Sequence, residues 1–344
     1  MKVKHINFKF ELEGHGIVNY DSGDQKYLWN RESKDGNKNQ FISGDNNNMY
    51  AKKHYYRDEN GVLKYKIKIS SDALRNAMFK NDAIATNPSI MHHKTLLNSF
   101  IGSTMGLIRG YMFAGNNETI KRKSPLTITS AIQSNNAESY MELHTRSGEK
   151  KTNNDSDTKD TSLFNKETIG DISYVGRGFI DIQGLEFISS DPVFDRYSFN
   201  SDDFEILKVF LQNNLPNFDS ELGYYSLKTS AIDVAEYGIK LNKENILHLI
   251  KESLKRTFNI SIGRAGSYAK LSRLSIQLVS DLVNPENNKW IEIGGIGDID
   301  NLDFDIEEYY CLTDELEAKK QRELIEESLK ESAKKKNDAK KQKK

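Results

Sequence analysis

Ile6, Phe8, Phe10 and Leu12 alternate with Asn7, Lys9 and Glu11, a period of two that predicts a strand with one buried face. Leu63, Tyr65, Ile67 and Ile69 repeat the pattern against Lys64, Lys66 and Lys68. Immediately after them, Ser70 or Ser71 can cap a helix in which Leu74, Ala77 and Met78 form one apolar stripe. Asn87-Pro88 supplies a cap and a first-turn proline for a longer helix. Its face of Ile90, Leu97, Ile101 and Met105 runs to about Ile108, where Arg109-Gly110 closes it.

A Gly/Asn turn (Gly115-Asn116-Asn117), a basic run and Ser124-Pro125 then lead into a short strand at Leu126-Thr127-Ile128-Thr129. Strands return from Ile172 to Ile188, broken by Gly176, Gly178 and Gly184. Helices are expected at about Asp202–Gln212, with Phe204, Leu207 and Leu211 inward, and at Lys243–Thr257, with Ile246, Ile250 and Leu254 inward. A glycine turn, Ile262 to Tyr268, feeds a strand through Leu274, Ile276 and Leu278, and Trp290 and Ile293 lie on a last strand. Residues 21–50 and Thr145–Thr168 are almost wholly polar and read as excursions from the core, the second as a mobile loop or hairpin tip. No internal repeat with a period of about 20–50 residues is present. The order of elements predicts an α+β fold, a sheet with helices on one face, and requires no second folded domain.

Composition narrows the function classes. The chain has 344 residues with 37% hydrophobic and 10% aromatic side chains, enough for a sizeable core and against disorder throughout. One cysteine, Cys311, forms no intramolecular disulfide, and no apolar run of signal or membrane length follows Met1-Lys2-Val3-Lys4-His5, so a cytoplasmic protein without a membrane partner is expected. Of the net charge of −1, the segment Asp298–Glu317 holds nine acidic and no basic residues, while Ala318–Lys344 carries +6, which leaves residues 1–297 at +2. Local basic patches can therefore exist on the body. The acidic segment, interleaved with Leu302, Phe304, Ile306, Tyr309 and Tyr310, reads as an edge laid on a surface, which a basic neighbouring subunit could receive, or equally as a solvated structural segment. A charged helix at roughly Asp314–Glu331 and a disordered Lys-rich tail complete the chain.

Metal and nucleophile signatures are absent from the sequence. A single cysteine excludes Cys-rich zinc sites. His92 and His93 point about 100° apart on a helix and cannot chelate together, and His15 between Gly14 and Gly16 reads as a turn residue. Neither a His-Glu-x-x-His run nor a Walker-type phosphate loop occurs, so neither metal nor cofactor is expected. Gly263-Arg264-Ala265-Gly266 matches a bare Gly-x-x-Gly pattern, with Arg264, Ser267, Tyr268 and Lys270 supplying charge, hydroxyl and a ring; it is either a phosphate-contacting turn or an ordinary tight turn. Between Arg109 and Ser134, Arg109, Lys121, Arg122 and Lys123 face only Glu118. Such cations supply the phosphate attraction that dominates nucleic-acid affinity, and Leu126, Ile128 and Ile132 could wedge between unstacked bases.

The succession of a strand, a Ser-capped helix with Leu74-Arg75, a long helix, a glycine turn, Lys121-Arg122-Lys123-Ser124-Pro125-Leu126 and a glycine-interrupted strand resembles the RAMP superfamily. More narrowly, it resembles the guide-RNA backbone subunit of CRISPR Cascade complexes. The start Gly14-His15-Gly16-Ile17-Val18-Asn19-Tyr20-Asp21-Ser22 and the length are most similar to the minimal variant of type I-F. The resemblance covers about residues 1–295. It implies a modified RRM-like (ferredoxin-like) palm with thumb and finger insertions, here at about 21–60, 109–134 as the thumb and 145–170, in one domain over 1–297.

The partners implied are a guide RNA, the target DNA strand paired to it, copies of the chain in a helical filament, and other Cascade subunits at its ends. Arg75, Lys80, Arg109, Lys121, Arg122, Lys123, Ser124, Arg264, Ser267, Tyr268 and Lys270 would contact RNA. Related type III subunits cut target RNA with a loop aspartate. It has no match here, so a non-catalytic subunit is expected. The alternatives are a metal-dependent ribonuclease using Asp21, Asp24 or Asp45, and an assembly protein that docks through the charged C-terminal helix. The acidic segment and the tail have no family counterpart.

Overall fold

The first strand, His5–His15, lies between the two longest partners in the chain. Ser267–Val279 pairs with it on one side and Asp171–Asp181 on the other, both antiparallel. The structure is a computed structural model that describes residues 2–20, 26–27, 41–42, 48–82, 93–114, 119–149, 159–193, 195–228, 234–264, 266–280 and 288–324. Beyond Asp171–Asp181 the sheet continues through Leu126–Ile128 and Ala131–Gln133 to Leu63–Ile69 and Lys53–Arg57. Beyond Ser267–Val279 lie Ser261–Arg264 and Trp290–Ile293.

The alternation read from the sequence sorts the two faces. Ile6, Phe8, Phe10 and Leu12 are buried and join Leu74, Met78, Leu97, Phe100, Ile101, Leu107, Ile108, Ile246, Leu249 and Ile250 in one apolar cluster, so the helices pack on this face. The glycines expected to break the third of these strands do not, because Asp171–Asp181 runs without interruption. Gly176 and Gly178 stand opposite Phe10 and Phe8, and a Cβ on Gly178 would fall 1.9 Å from the Phe8 ring. Both positions are small because the phenyl rings lie across the strand. Gly184 falls in a short helix, Ile182–Glu186.

Ser70 caps the helix Ser71–Met78, its Oγ accepting from the Ala73 amide at 3.4 Å. The long helix expected up to Ile108 is instead two, Lys94–Ile101 and Thr104–Arg109. Gly102 ends the first and the Ser103 hydroxyl caps the second by accepting from the Gly106 amide at 3.0 Å. Asn87-Pro88 and Ile90 lie outside the described residues. Helix Phe204–Asn214 starts after one turn of 3₁₀ structure at Ser201–Asp203, and Lys243–Thr257 has the predicted limits, with Asn242 accepting from the Asn245 amide at 2.8 Å.

A smaller sheet orders Phe187–Ser189, Glu236–Lys240, Leu222–Leu227 and Tyr310–Leu312. Its last strand belongs to the acidic segment, which is laid along the surface: Glu307 donates its amide to the Val3 carbonyl at 2.8 Å, and Ile306 and Tyr310 are buried. Residues 315–324 are helical behind an Asp314 cap; the rest of the charged helix and the Lys-rich tail lie outside the described residues.

The Thr145–Thr168 stretch, expected as a loop or hairpin tip, contributes to two ten-residue strands, Tyr140–Glu149 and Lys159–Thr168, paired antiparallel. Its base is fixed by buried Glu167. That carboxylate accepts from the Ala51 amide at 2.9 Å and the Ser139 hydroxyl at 2.7 Å, and it lies 3.2 Å from Lys53 Nζ. Leu126 and Ile128, expected as base wedges, are 1% and 5% exposed and belong to the core. That is a correction: their strand pairs with Asp171–Asp181, so residues 126–133 are part of the main sheet.

Candidate nucleic-acid interface

Arg75 leaves the helix Ser71–Met78 half-buried, and its Nη2 donates to the Arg109 carbonyl at 2.8 Å and the Ser124 hydroxyl at 3.0 Å. Arg109, the last residue of its short helix, donates from Nη2 to Asn76 at 3.0 Å. Gly110 makes this junction possible. It holds φ +70, and a Cβ there would meet the Arg122 carbonyl at 2.5 Å and the Ser124 amide at 2.7 Å. Arg75, Asn76, Arg109, Gly110 and Asp72 line one cleft. Burial and the neighbouring Arg109 charge both push the Arg75 guanidinium below its ordinary pKa, against the weaker pull of Asp72. Two like charges held together in a half-buried cleft form a site whose electrostatic cost falls when an anion enters.

The same helix extends the basic rim. Lys80, exposed just past its end, reaches the Ser261 carbonyl at 3.5 Å, and Ser261 is the register partner of exposed Lys270. Tyr268 stands 49% exposed beside it. Arg264 lies over the Tyr20 ring at 5.1 Å, and Lys166 at the base of the long hairpin faces the same ring at 5.5 Å. Desolvation is the main reason the Tyr20 phenol is pushed up to about 12, so it stays protonated as the base of this stack. Gly263 lies in the strand Ser261–Arg264, and Arg264 pairs with Ser267 where that strand meets Ser267–Val279.

Four expected contacts are placed elsewhere. Arg122 is 6% exposed and lies inside the protein. Its Nε donates to the Leu107 carbonyl at 3.2 Å, Nη1 to Phe187 at 2.8 Å, and Nη2 to Gly184 at 2.9 Å and Leu185 at 3.5 Å. Leu107, Gly184 and Leu185 belong to the ends of two short helices, where carbonyls lack helical partners and a cation is favoured. Its position on an RNA-facing surface is therefore corrected. Ser124 supports Arg75, its hydroxyl lying 2.6 Å from the Leu126 carbonyl. Ser267 is 7% exposed, packed against Gly16. Lys121 pairs with Asp195, which leaves Lys123 as the exposed member of the basic run.

Two features escaped the sequence reading. Met141 and Leu143, two apart on one strand of the long hairpin, are 46% and 66% exposed. They sit at the edge of the stretch read as polar, and a single Met-Glu-Leu alternation there is too short to register as a signal. The lysines of helix Lys243–Thr257 are the other, because their partners come from the remote acidic segment. Asp21, Asp24 and Asp45, named for a nuclease alternative, lie outside the described residues. Among the described residues no group of three His, Cys, Asp or Glu side chains gathers as a metal site would, and no helix is long and apolar enough to cross a membrane.

By architecture this is a mixed α/β protein built on antiparallel sheets. The chain belongs to the family described as Type I-Fv CRISPR-associated protein Cas7fv-like, whose pattern matches residues 2–288. The resemblance to a CRISPR backbone subunit, and to the minimal type I-F variant within it, is upheld. Among solved structures, one similar chain is from a "CRISPR RNA-guided surveillance complex", at 9% identity over 94% of this chain and 84% of that one, TM-score 0.31. Another is from a "CRISPR RNA-guided surveillance complex, pre-nicking", at 7% identity over 95% and 89%, TM-score 0.38. No curated protein matches.

Proposed function

We propose that this chain binds a guide RNA by its phosphate backbone, without cutting it, along the rim of Arg75, Lys80, Arg109, Lys123, Arg264 and Lys270. The observation that carries the reading is the Arg75–Arg109 pair, the Arg75 guanidinium donating to the Arg109 carbonyl and both side chains lining one cleft, in a chain of a CRISPR-associated family. Such a protein leaves sequence recognition to base pairing, so it needs phosphate contacts and stacking or wedging groups, not readers of base edges. The sheet order, with the last long strand beside the first and the Asp171–Asp181 strand between the first and residues 126–133, supports an RRM-like palm. In that frame the hairpin Tyr140–Thr168, inserted between two adjacent palm strands, is the thumb in place of residues 109–134. Copies of the chain line up along the guide in a helical filament, other Cascade subunits cap its ends, and the target DNA strand pairs with the guide.

Purification tests the first step. The chain should emerge loaded with RNA and a raised ratio of 260 to 280 nm absorbance, and an RNA-free protein from cells expressing the guide would sink the proposal. Incubation of the loaded complex with complementary RNA and magnesium tests the absence of cleavage, since discrete products would favour the nuclease. The thumb makes its own prediction. With 2-aminopurine scanned along the guide, the wild-type assembly should show bright positions at a regular interval where bases are displaced. Met141→Ser with Leu143→Ser should dim them while RNA stays bound within a few-fold. An unchanged fluorescence pattern would remove the hairpin from this role.

A further inference from the structure

The acidic segment is seated on a row of lysines. Lys255 Nζ lies 2.7 Å from Asp300, and Lys251 donates to the Asp300 carbonyl at 2.8 Å. Lys243, at the start of the same helix, lies 3.1 Å from Asp305. Lys240 and Lys228, at the ends of two paired strands of the smaller sheet, lie 3.6 and 3.8 Å from Glu308. The segment is anchored through its main chain: Val3 donates to the Asp305 carbonyl at 2.8 Å, and Tyr309 donates its amide to Glu186 at 2.7 Å. The carboxylates are thus held at fixed points along the lysines. Asp300, Asp305 and Lys243 remain about half exposed, and ion pairs so exposed add little to stability. Their larger effect is on the field outside the protein, where they cancel a stripe of positive charge.

We propose that this lysine row is a second phosphate-binding face for single-stranded nucleic acid, kept closed by the chain's own acidic segment standing where a polyphosphate backbone would lie. The segment thereby confines RNA to the Arg75–Arg109 rim; only that last clause rests on the function proposed above. With the row open, a nucleic-acid strand would pair with Lys228 and Lys243, and with Lys240 and Lys255 in competition with Glu186 and Glu252, and release the counterions that drive such binding.

The test uses the full chain carrying Asp300→Asn, Asp305→Asn and Glu308→Gln, with binding of a fluorescent mixed-sequence single-stranded RNA followed against salt. Both the variant and its parent also carry Arg109→Gln and Lys123→Gln, so that the rim's contribution is reduced equally in the two. The variant should bind roughly tenfold more tightly at low salt, with a log–log salt slope steeper by about 2. A control removes the same charge from Asp303, Glu317 and Glu323, exposed carboxylates outside these pairs, and should gain less than about twofold by long-range field alone. No gain in the first variant, or an equal gain in the control, overturns the proposal. Should the triple substitution lower the melting temperature, Asp305→Asn alone frees Lys243 and leaves the main-chain bond to Val3; no gain there is equally fatal. Full RNA retention by the Arg109→Gln, Lys123→Gln parent would count against the rim and leave the lysine row standing.

Discussion

Replacing Arg122 by methionine is expected to destabilise the protein by about 3–5 kcal/mol while leaving RNA affinity of the folded fraction unchanged. The side chain satisfies carbonyls of Leu107, Phe187, Gly184 and Leu185 from a position 6% exposed. Methionine keeps most of the apolar volume but offers no donor, and each stranded buried acceptor costs roughly 1–3 kcal/mol. Loss of the cation also removes the favourable charge at two helix C-termini. A thermal melt should therefore fall by on the order of 5–10 °C. RNA titration of the variant below its melting temperature separates a fold-holding role from an RNA-binding one: a stable variant with weakened RNA binding would return Arg122 to the interface.

Arg122 also shows where the sequence stops being informative. Lys121, Arg122 and Lys123 look alike as a run, yet on the strand Thr119–Arg122 alternate residues face opposite sides, and the three meet different partners. Lys121 pairs with Asp195, Arg122 turns inward, and Lys123 remains exposed. Nothing in three consecutive cations says which one will find carbonyls, because those carbonyls come from residues 107 and 184–187. Periodic patterns fared better. The first strand, the Ser70-capped helix and Lys243–Thr257 were legible because one buried face sets their period whatever the partner.

Glycines misled for a related reason. Gly176 and Gly178 read as strand breakers by propensity, but they pair with Phe10 and Phe8 and are small to admit the rings, a fact that belongs to residues some 170 positions away. The Thr145–Thr168 stretch reads as a mobile loop or hairpin tip because it offers few apolar positions, and Glu167, which fixes the base of the paired strands, is a charged residue that composition places in solvent. Of the candidate contacts, Arg75 and Arg109 were singled out separately, and only the fold brings them to one cleft.

That meeting makes the strongest prediction about binding. Arg75→Gln together with Arg109→Gln should weaken guide-RNA binding on the order of 10- to 100-fold and flatten the log–log salt slope by about 1.4, the loss of two phosphate contacts on a single strand. The two single variants differ in what they cost the fold. The Arg109 side chain donates to Asn76 and lies 5.8 Å from the Phe79 ring, so Arg109→Gln should lower the melting temperature only slightly. Arg75 holds both the Arg109 carbonyl and Ser124, so Arg75→Gln should lose about 1–2 kcal/mol as well. Relief of like-charge repulsion offsets part of that loss, because burial and Arg109 both disfavour the charged form of Arg75. In the free protein this repulsion subtracts from what the Arg75 hydrogen bonds contribute, and an anion between the two guanidiniums removes it. A double variant that keeps its RNA, or one whose salt slope matches the parent, would show that the cleft holds no phosphate.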